Sequence, residues 1–119
     1  MLYTGNNATN RTIAGFGFNP EWNWLKARSI ADNHVLTDVL RGTNHLHSNT
    51  TAKDSDLSYP ALTTDGVIVS GSTYNNNGVT FASWAWKAGG SGSSNSNGSI
   101  TSSVSANTAA GFSIVSWTG

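Results

Sequence analysis

The stretch VTFASWAWKA, residues 79–88, alternates between two sets of side chains in steps of two residues. Successive side chains of a β-strand point to opposite faces, so a period of two predicts a strand. The two rows are Ala82, Trp84 and Trp86 on one face, and Phe81, Ser83 and Ala85 on the other. A helix would repeat its apolar positions every three to four residues. The stretch therefore predicts a strand that carries a pair of tryptophans on one face.

The same period continues through most of the chain. In EWNWLKAR, residues 21–28, Trp22 and Trp24 share one face with Lys26. Further predicted strands cover residues 12–14, 34–40, 43–47, 66–70, 100–104 and 112–117. A helix over residues 29–42 is the competing interpretation of one segment, but Asp32-Asn33 is a turn signal and the β-branched residues favour a strand.

Turn signals separate these strands and indicate the domain organisation. Asn75-Asn76-Asn77-Gly78 predicts a hairpin, because Asn and Gly adopt positive φ at little cost, and Asp65-Gly66 and Arg41-Gly42 are weaker turns. Short strands with polar turns predict an all-β fold, an antiparallel β-sandwich or jelly-roll. We expect a β-sandwich body over residues 1–88, a linker rich in Gly, Ser and Asn over residues 89–99, and terminal strands over residues 100–119.

Composition excludes several functional classes. About half of the 119 residues are Asn, Ser, Thr or Gly, and six basic residues balance six acidic ones. A nucleic-acid partner is not expected, since phosphate binding needs concentrated Lys and Arg. The chain has no cysteine, which excludes disulfides and thiolate metal sites. The sequence predicts no membrane insertion, and its opening residues do not have the pattern of an export signal.

The last residues resemble the first ones. GFSIVSWTG, residues 111–119, ends on an aromatic residue followed by Thr-Gly, as does LYTG at residues 2–5. If a parent protein repeats this unit, the last strand of one copy would be the first strand of the next. We therefore expect the terminal strands to form a junction with a following repeat.

Six segments in this order resemble a repeat domain of virion proteins from tailed bacteriophages, many of them marine. They are YTGNNATNRTIAGFGFNPEWNWLKARS, HVLTDVLRG, SNTTAKDS, LTTDGVIVSGS, NNNGVTFASWAWKAGG and SVSANTAAGFSIVSWTG, and together they cover nearly the whole chain. The resemblance implies a β-sandwich of concanavalin or laminin-G-like character in a tail fibre or related appendage. It also implies adhesion, assembly in the host cytoplasm with release by lysis, trimers, and no catalytic motif.

Two positions depart from the pattern of that family. Trp22-Asn23 replaces a hydrophobic residue followed by Val, and Ala85 stands where the family commonly has Cys between two tryptophans. Ala85 removes any role for a thiol. Trp22 adds an aromatic ring, and the sequence leaves open whether this ring packs or binds.

The tryptophan pairs have two interpretations. Exposed rings at strand spacing would form a platform that stacks on sugars, which makes Trp22, Trp24, Trp84 and Trp86 candidates for glycan binding. Alternatively, the pairs fill the space between two facing sheets. Core packing is favoured for most of them, with Trp22 as the exception. Arg28 and Arg41 are further candidates, for anionic sugars or a neighbouring subunit, against the alternative of a solvated salt bridge.

Metal binding and catalysis have weaker signals. His45 and His47 share a predicted strand face and His34 lies nearby, but these histidines fall short of a metal site. Asp54-Ser55-Asp56 has too few ligands for a calcium loop. No Gly-x-Ser-x-Gly motif or suggestive carboxylate pair occurs. The sequence thus predicts no catalytic residue, no metal and no cofactor.

We therefore expect a non-enzymatic module of a phage virion appendage, located in the virion, that contributes to adhesion to a host-surface glycan. The expected partners are other virion subunits, including copies of the chain itself in a homo-oligomer for which the family favours a trimer. The alternative is a structural spacer or capsid-decorating module that contacts only other virion subunits. A carbohydrate-binding module attached to an enzyme would fit the composition, but not the phage-like motifs.

Overall fold

A computed structural model describes residues 1–56 and 58–119, and its regular secondary structure is almost entirely β-strand. One short helix, α1 (Gly71–Tyr74), interrupts the strands. The strands are β1 (Leu2–Thr4), β2 (Arg11–Ala14), β3 (Trp22–Ala27), β4 (Val35–Asp38), β5 (Asn44–His45), β6 (Ser55–Asp56), β7 (Ala61–Thr63), β8 (Gly66–Val69), β9 (Thr80–Trp86), β10 (Ser93–Asn95), β11 (Ser102–Asn107) and β12 (Phe112–Trp117). The predicted all-β class is confirmed.

Two antiparallel sheets pack face to face and form a β-sandwich. The first sheet has the order β1-β9-β3-β4 and the second has the order β2-β8-β7. Their facing sides build one apolar core of Ile13, Leu25, Ala27, Val35, Val67, Val69, Tyr74, Val79 and Phe81. Leu25 and Phe81 are each only 1% exposed. Burial of each such side chain stabilises the fold by about 1.5–3 kcal/mol.

The inner face of the first sheet also contains a polar pair beside the apolar core. Asn23 on β3 and Ser83 on β9 are both fully buried. The Asn23 Nδ2 donates to Ser83 Oγ at 2.6 Å and to the Trp84 carbonyl at 3.0 Å. The two central strands are thus joined by side-chain as well as backbone hydrogen bonds.

A third antiparallel sheet, β10-β11-β12, includes part of the segment predicted as a linker. Ser93–Asn95 forms β10 and pairs with β11, so this part of residues 89–99 is a strand. Before it, Gly89 lies so close to β11 that a Cβ there would stand 2.2 Å from the Ala106 carbonyl oxygen. Ser105 Oγ accepts from the Gly89 amide at 3.0 Å and donates to the Gly90 carbonyl at 2.6 Å. Because Gly89 has no side chain, the backbone of residues 89–90 can lie directly against β11.

The strong turn prediction at residues 75–78 and the weaker one at Asp65-Gly66 have different outcomes. Asp65-Gly66 connects β7 to β8 as predicted, with Thr63 paired to Gly66. Residues 75–78 do not form the predicted hairpin, because β8 belongs to the second sheet and β9 to the first. The chain instead crosses between the sheets. Fully buried Asn75 supports the crossing, since its Nδ2 donates to Asn6 Oδ1 at 2.8 Å and to the Ala8 carbonyl at 2.9 Å.

A small two-stranded sheet of β5 and β6 completes the architecture, linked to β4 by a bridge between Leu36 and Leu46. The strand predicted over residues 43–47 is limited to Asn44–His45. In the described ranges, no helix has the length and apolar character needed to span a membrane.

Candidate binding face

The four paired tryptophans lie together on the outer face of the first sheet. Trp22 is paired with Trp86, and Trp24 with Trp84, across β3 and β9. Directly paired residues of an antiparallel sheet point to the same face. Asn23, Leu25 and Phe81 occupy the alternate positions and point into the core. We call the surface formed by Trp22, Trp24, Trp84 and Trp86 the aromatic face.

The expectation that most of these rings fill the core is wrong. Trp84 is 48% exposed and Trp86 is 39% exposed, whereas Trp22 and Trp24 are half-buried. Trp22, expected to be the exception, is thus less exposed than Trp84 and Trp86. The tryptophans belong to the face that points away from the second sheet, so they do not take part in the core of the sandwich.

The rings of the aromatic face contact one another at an angle. The ring centroids of Trp22 and Trp86 are 4.8 Å apart and those of Trp24 and Trp84 are 5.8 Å apart, with interplanar angles of 68° and 57°. Along β3, the centroids of Trp22 and Trp24 are 6.3 Å apart at 76°. Such edge-to-face and tilted pairs are favourable aromatic geometries. The cluster is therefore held in place by its own contacts.

The third sheet covers one end of the aromatic face. Phe112 of β12 lies 6.2 Å, between ring centroids, from both Trp22 and Trp86. Trp22 contacts both Trp86 and Phe112 and is half-buried. The sequence indicated that residues 112–117 form a strand, but it gave no signal that Phe112 would reach the tryptophans.

A polar group fixes the other end of the aromatic face. Trp24 Nε1 donates to His34 Nδ1 at 3.0 Å. The His34 carbonyl accepts from His47 Nδ1 at 2.9 Å. Lys26, next after Trp24 in the same row, donates through Nζ to the Ala27 carbonyl at 2.5 Å and to the Asp32 carbonyl at 3.4 Å. Trp24 thus stands at a boundary between aromatic and polar surface.

The two candidate arginines have different surroundings. Arg28 is exposed and directly follows β3. Arg41 forms an ion pair with Asp38, with Nη2 2.6 Å and Nε 2.8 Å from Asp38 Oδ2. The Asp38 side chain is only 4% exposed, so this pair is more buried than the solvated salt bridge considered for Arg41. Arg41 also lines a groove of about 380 Å³ with Trp22 and with residues of β12.

The histidines do not form a metal centre among the described residues, where no group of three or more His, Asp or Glu side chains is placed to hold an ion. His45 is fully buried, and neither ring nitrogen has a hydrogen-bond partner in the part of the chain that the structure describes. Burial lowers the pKa of His45, and the nearby Pro60 backbone partly opposes this effect. His34 and His47 lie closer to the surface and are linked through the His34 backbone.

Asp38 and Glu21 are acidic residues that the fold buries. Asp38 is occupied by Arg41 and by the backbone amides of Leu40 and Arg41. Glu21 is 5% exposed, and its Oε2 has no hydrogen-bond partner among residues 1–56 and 58–119. The sequence did not single out Glu21 as buried, because its charge is typical of an exposed position.

Comparison with known proteins identifies a family without assigning a function. No curated protein matches the chain. No solved structure matches it either. One family, described as a domain of unknown function, DUF7483, matches residues 1–119, so the chain belongs to the DUF7483 family.

Proposed function

We propose that the chain is a non-enzymatic adhesion module that binds a host-surface glycan through its aromatic face. The exposure of Trp84 and Trp86 beside Trp22 and Trp24 carries this proposal. Single exposed apolar residues are common on proteins, but a contiguous apolar patch indicates an interaction site. Three Trp-Trp contacts place these rings in one such patch.

Glycans suit this face because of its chemistry. An indole ring has a wide apolar surface and one polar N–H group, so it can contact the C–H face of a sugar ring while the hydroxyls stay hydrated. The Trp24 N–H already donates to His34, which fixes the orientation of that ring. A ring that is already oriented loses less conformational entropy when a ligand binds.

The biological setting of the proposal comes from the sequence. The motifs between Tyr3 and Gly119 resemble a repeat domain of phage virion appendages, and this resemblance supports a place in a tail fibre or related structure of the virion. The partners would be other virion subunits, including copies of the chain itself, and a glycan of the host surface. The residues proposed to contact the glycan are the four tryptophans of the aromatic face, with exposed Arg28 at the end of β3.

The test is binding to an array of bacterial surface polysaccharides, with the Trp84→Ala variant beside the unmodified chain. We expect Trp84→Ala to weaken binding of any captured glycan about 5- to 100-fold, in the range of one lost stacking contact on a base or sugar ring. Phe18→Ala is the matched control, because it also removes an aromatic ring, but from a half-buried position between β2 and β3 where the ring contacts Phe16. Far-UV circular dichroism confirms that both variants are folded.

Two results would reject glycan binding by the aromatic face. The first is an array on which the folded chain binds no glycan above the background of a denatured sample. The second is binding that Phe18→Ala weakens and Trp84→Ala leaves unchanged.

A structural spacer is the second candidate, and the apolar surface of the third sheet favours it. Val115 and Trp117 of β12 are 43% and 64% exposed, Ile100 in the connection before β11 is 49% exposed, and β12 lies at an edge of its sheet. Exposed strand edges can pair with other chains. Light scattering after size exclusion tests this role: a Trp117→Ser change that dissociates an oligomer supports it, and a monomeric unmodified chain at high concentration contradicts it.

A further inference from the structure

A polar pocket of about 540 Å³ adjoins the aromatic face at Lys26. It is lined by Lys26, Ala31, Asp32, Asn33 and Asn49. The sequence singled out none of these side chains as a site, because they come from β3, from the connection between β3 and β4, and from the connection between β5 and β6. Folding brings them together beside Trp24.

The pocket and the aromatic rings share one continuous surface. Lys26 follows Trp22 and Trp24 in the same outward row of β3, and it is paired with Ala82 of β9. Trp84 is therefore a diagonal neighbour of Lys26, at the distance of about 7–8 Å that is usual for such neighbours in antiparallel sheets. A ligand that stacks on Trp84 can thus extend directly into the pocket.

Hydrogen bonds hold the polar groups of the pocket in position. Asn49 Nδ2 donates to Asn33 Oδ1 at 3.1 Å, and Asn49 Oδ1 accepts from the His34 amide at 3.0 Å. The Asp32 Oδ1 accepts from the Asn33 amide at 2.8 Å. Because Trp24 is bonded to the His34 ring, the same short segment orients both the ring and the amides.

The polar groups retain donors and acceptors for a ligand. A lysine ammonium has three donors, of which the described contacts use two. A carboxylate has about four acceptor positions, and the contacts of Asp32 occupy one of them. Asn33 also has an amide group with two N–H donors that no described contact uses. The pocket can therefore both donate to and accept from adjacent hydroxyl groups.

The charge of the pocket indicates the class of ligand. The side chains of Lys26 and Asp32 carry opposite charges and the other three lining residues are neutral, so the pocket has no net charge. A carboxylated or sulfated sugar would meet the Asp32 carboxylate as well as the Lys26 ammonium, whereas a neutral sugar satisfies both groups through its hydroxyls. We infer that this pocket binds a neutral sugar residue of a glycan whose adjoining residues stack on Trp84 and Trp24.

This inference rests on the proposed glycan adhesion and adds the class of sugar and a second, polar contact region for the glycan. It is tested first with free sugars, by NMR titration of the unmodified chain with D-glucose, D-galactose, D-mannose and D-glucuronate. We expect at least one neutral hexose to shift the side-chain amide signals of Asn33 and Asn49 together with the indole N–H signals of Trp24 and Trp84. No shift with any neutral hexose, or larger shifts with glucuronate, would overturn the inference.

Variants then test the pocket separately from the aromatic face. We expect Asn33→Ala and Lys26→Met each to weaken binding of the hexose about 3- to 10-fold, the usual effect of one lost hydrogen bond. Met keeps the unbranched stem of the half-buried Lys26, so the sheet should be preserved. Asn97→Ala and Lys87→Met are matched controls at exposed positions away from the pocket.

The outcomes separate this inference from the proposed function. If Trp84→Ala weakens binding of an array glycan and the two pocket variants do not, the pocket inference fails while the proposed function stands. If the hexose binds at the pocket but no array glycan depends on Trp84, the proposed function fails. If the control variants weaken binding as much as the pocket variants, the assignment to the pocket is wrong.

Discussion

The buried pair of Asn23 and Ser83 is expected to couple the two central strands energetically. Replacing Ser83 with Ala removes the acceptor that lies 2.6 Å from Asn23 Nδ2. A neutral hydrogen bond contributes about 0.5–1.5 kcal/mol to the free energy of unfolding, so Ser83→Ala should lower that energy by this amount. The Asn23 side chain keeps its bond to the Trp84 carbonyl, which limits the loss.

Replacing Asn23 with Ala should lower the free energy of unfolding more in the unmodified chain than in the Ser83→Ala variant. The Ser83 hydroxyl then remains buried without its partner, which costs about 1–3 kcal/mol. Part of this loss is offset, because Asn23 Oδ1 has no hydrogen-bond partner among the described residues and the substitution removes it. In the double variant neither polar group is left, so the sum of the single effects should exceed the effect of the double variant by about 0.5–1.5 kcal/mol.

Urea denaturation followed by far-UV circular dichroism measures this coupling. With a dependence of about 1–3 kcal/mol per molar urea, a loss of 1 kcal/mol moves the midpoint by about 0.3–1 M. Ser113→Ala, at an exposed position of β12, is the control and should change the free energy of unfolding by less than about 0.5 kcal/mol. Single effects that simply add in the double variant would refute the reasoning.

The coupling matters for the aromatic face because it favours one strand register. A slip of one residue between β3 and β9 would turn every side chain of one strand to the opposite face. In the observed register Asn23 meets Ser83 and the Trp84 carbonyl inside the sheet, and Trp24 meets Trp84 outside it. A polar pair in the core thus helps to place the tryptophans on the surface.

Two further predictions concern stability and the attachment of the third sheet. Because burial lowers the pKa of His45 below its ordinary 6.5, the folded state binds a proton less readily than the unfolded state, and the free energy of unfolding should fall as the pH drops below about 6.5. In urea titrations at several pH values, His45→Gln should reduce this dependence on pH. His47→Gln should retain most of it, since burial is the largest cause of the lowered pKa and the charge of His47 is a smaller one. An unchanged slope in His45→Gln would contradict this origin. Gly89→Ala places a Cβ 2.2 Å from the Ala106 carbonyl oxygen, so it should increase the hydrogen exchange of backbone amides in β10, β11 and β12 more than in β3. Gly98→Ala is the control and should leave this exchange unchanged, because the space around Gly98 is open. Equal exchange in both glycine variants would show that close approach at Gly89 does not hold the third sheet.

Local periodicity predicted the long strands β3, β9 and β12, because each of them carries its own alternation, but it did not predict β6, β7 or β10. Residues 112–117 form β12 with the predicted bounds, and the strands predicted around residues 22–27 and 80–86 are present. Alternation also predicted that Trp84 and Trp86 share a face. It did not predict which face is buried, because this depends on where the second sheet packs. The row with the two tryptophans is the more apolar one, so its composition favoured the core, although this row lies on the outer face.

Features that depend on distant partners were not predictable from local sequence. The Asn-rich turn at residues 75–78 has hairpin composition, yet the pairing of β9 with β3 makes it a crossing between sheets. Ser93–Asn95 has the composition of a linker and becomes a strand because β11 lies beside it. The polar pocket likewise requires three separate segments. Jelly-roll connectivity, the phage setting and the trimer stay predictions.

The position of the tryptophans has a consequence for spectroscopy. The chain has five tryptophans, of which four form the aromatic face and the fifth, Trp117, is exposed at the end of β12. Intrinsic fluorescence therefore reports on the outer surface and the third sheet, while the core around Phe81 and Leu25 contributes no indole emission. Emission that changes at lower urea concentration than the circular dichroism would thus signal that the third sheet detaches from Trp22 and Trp86, with the sandwich still folded.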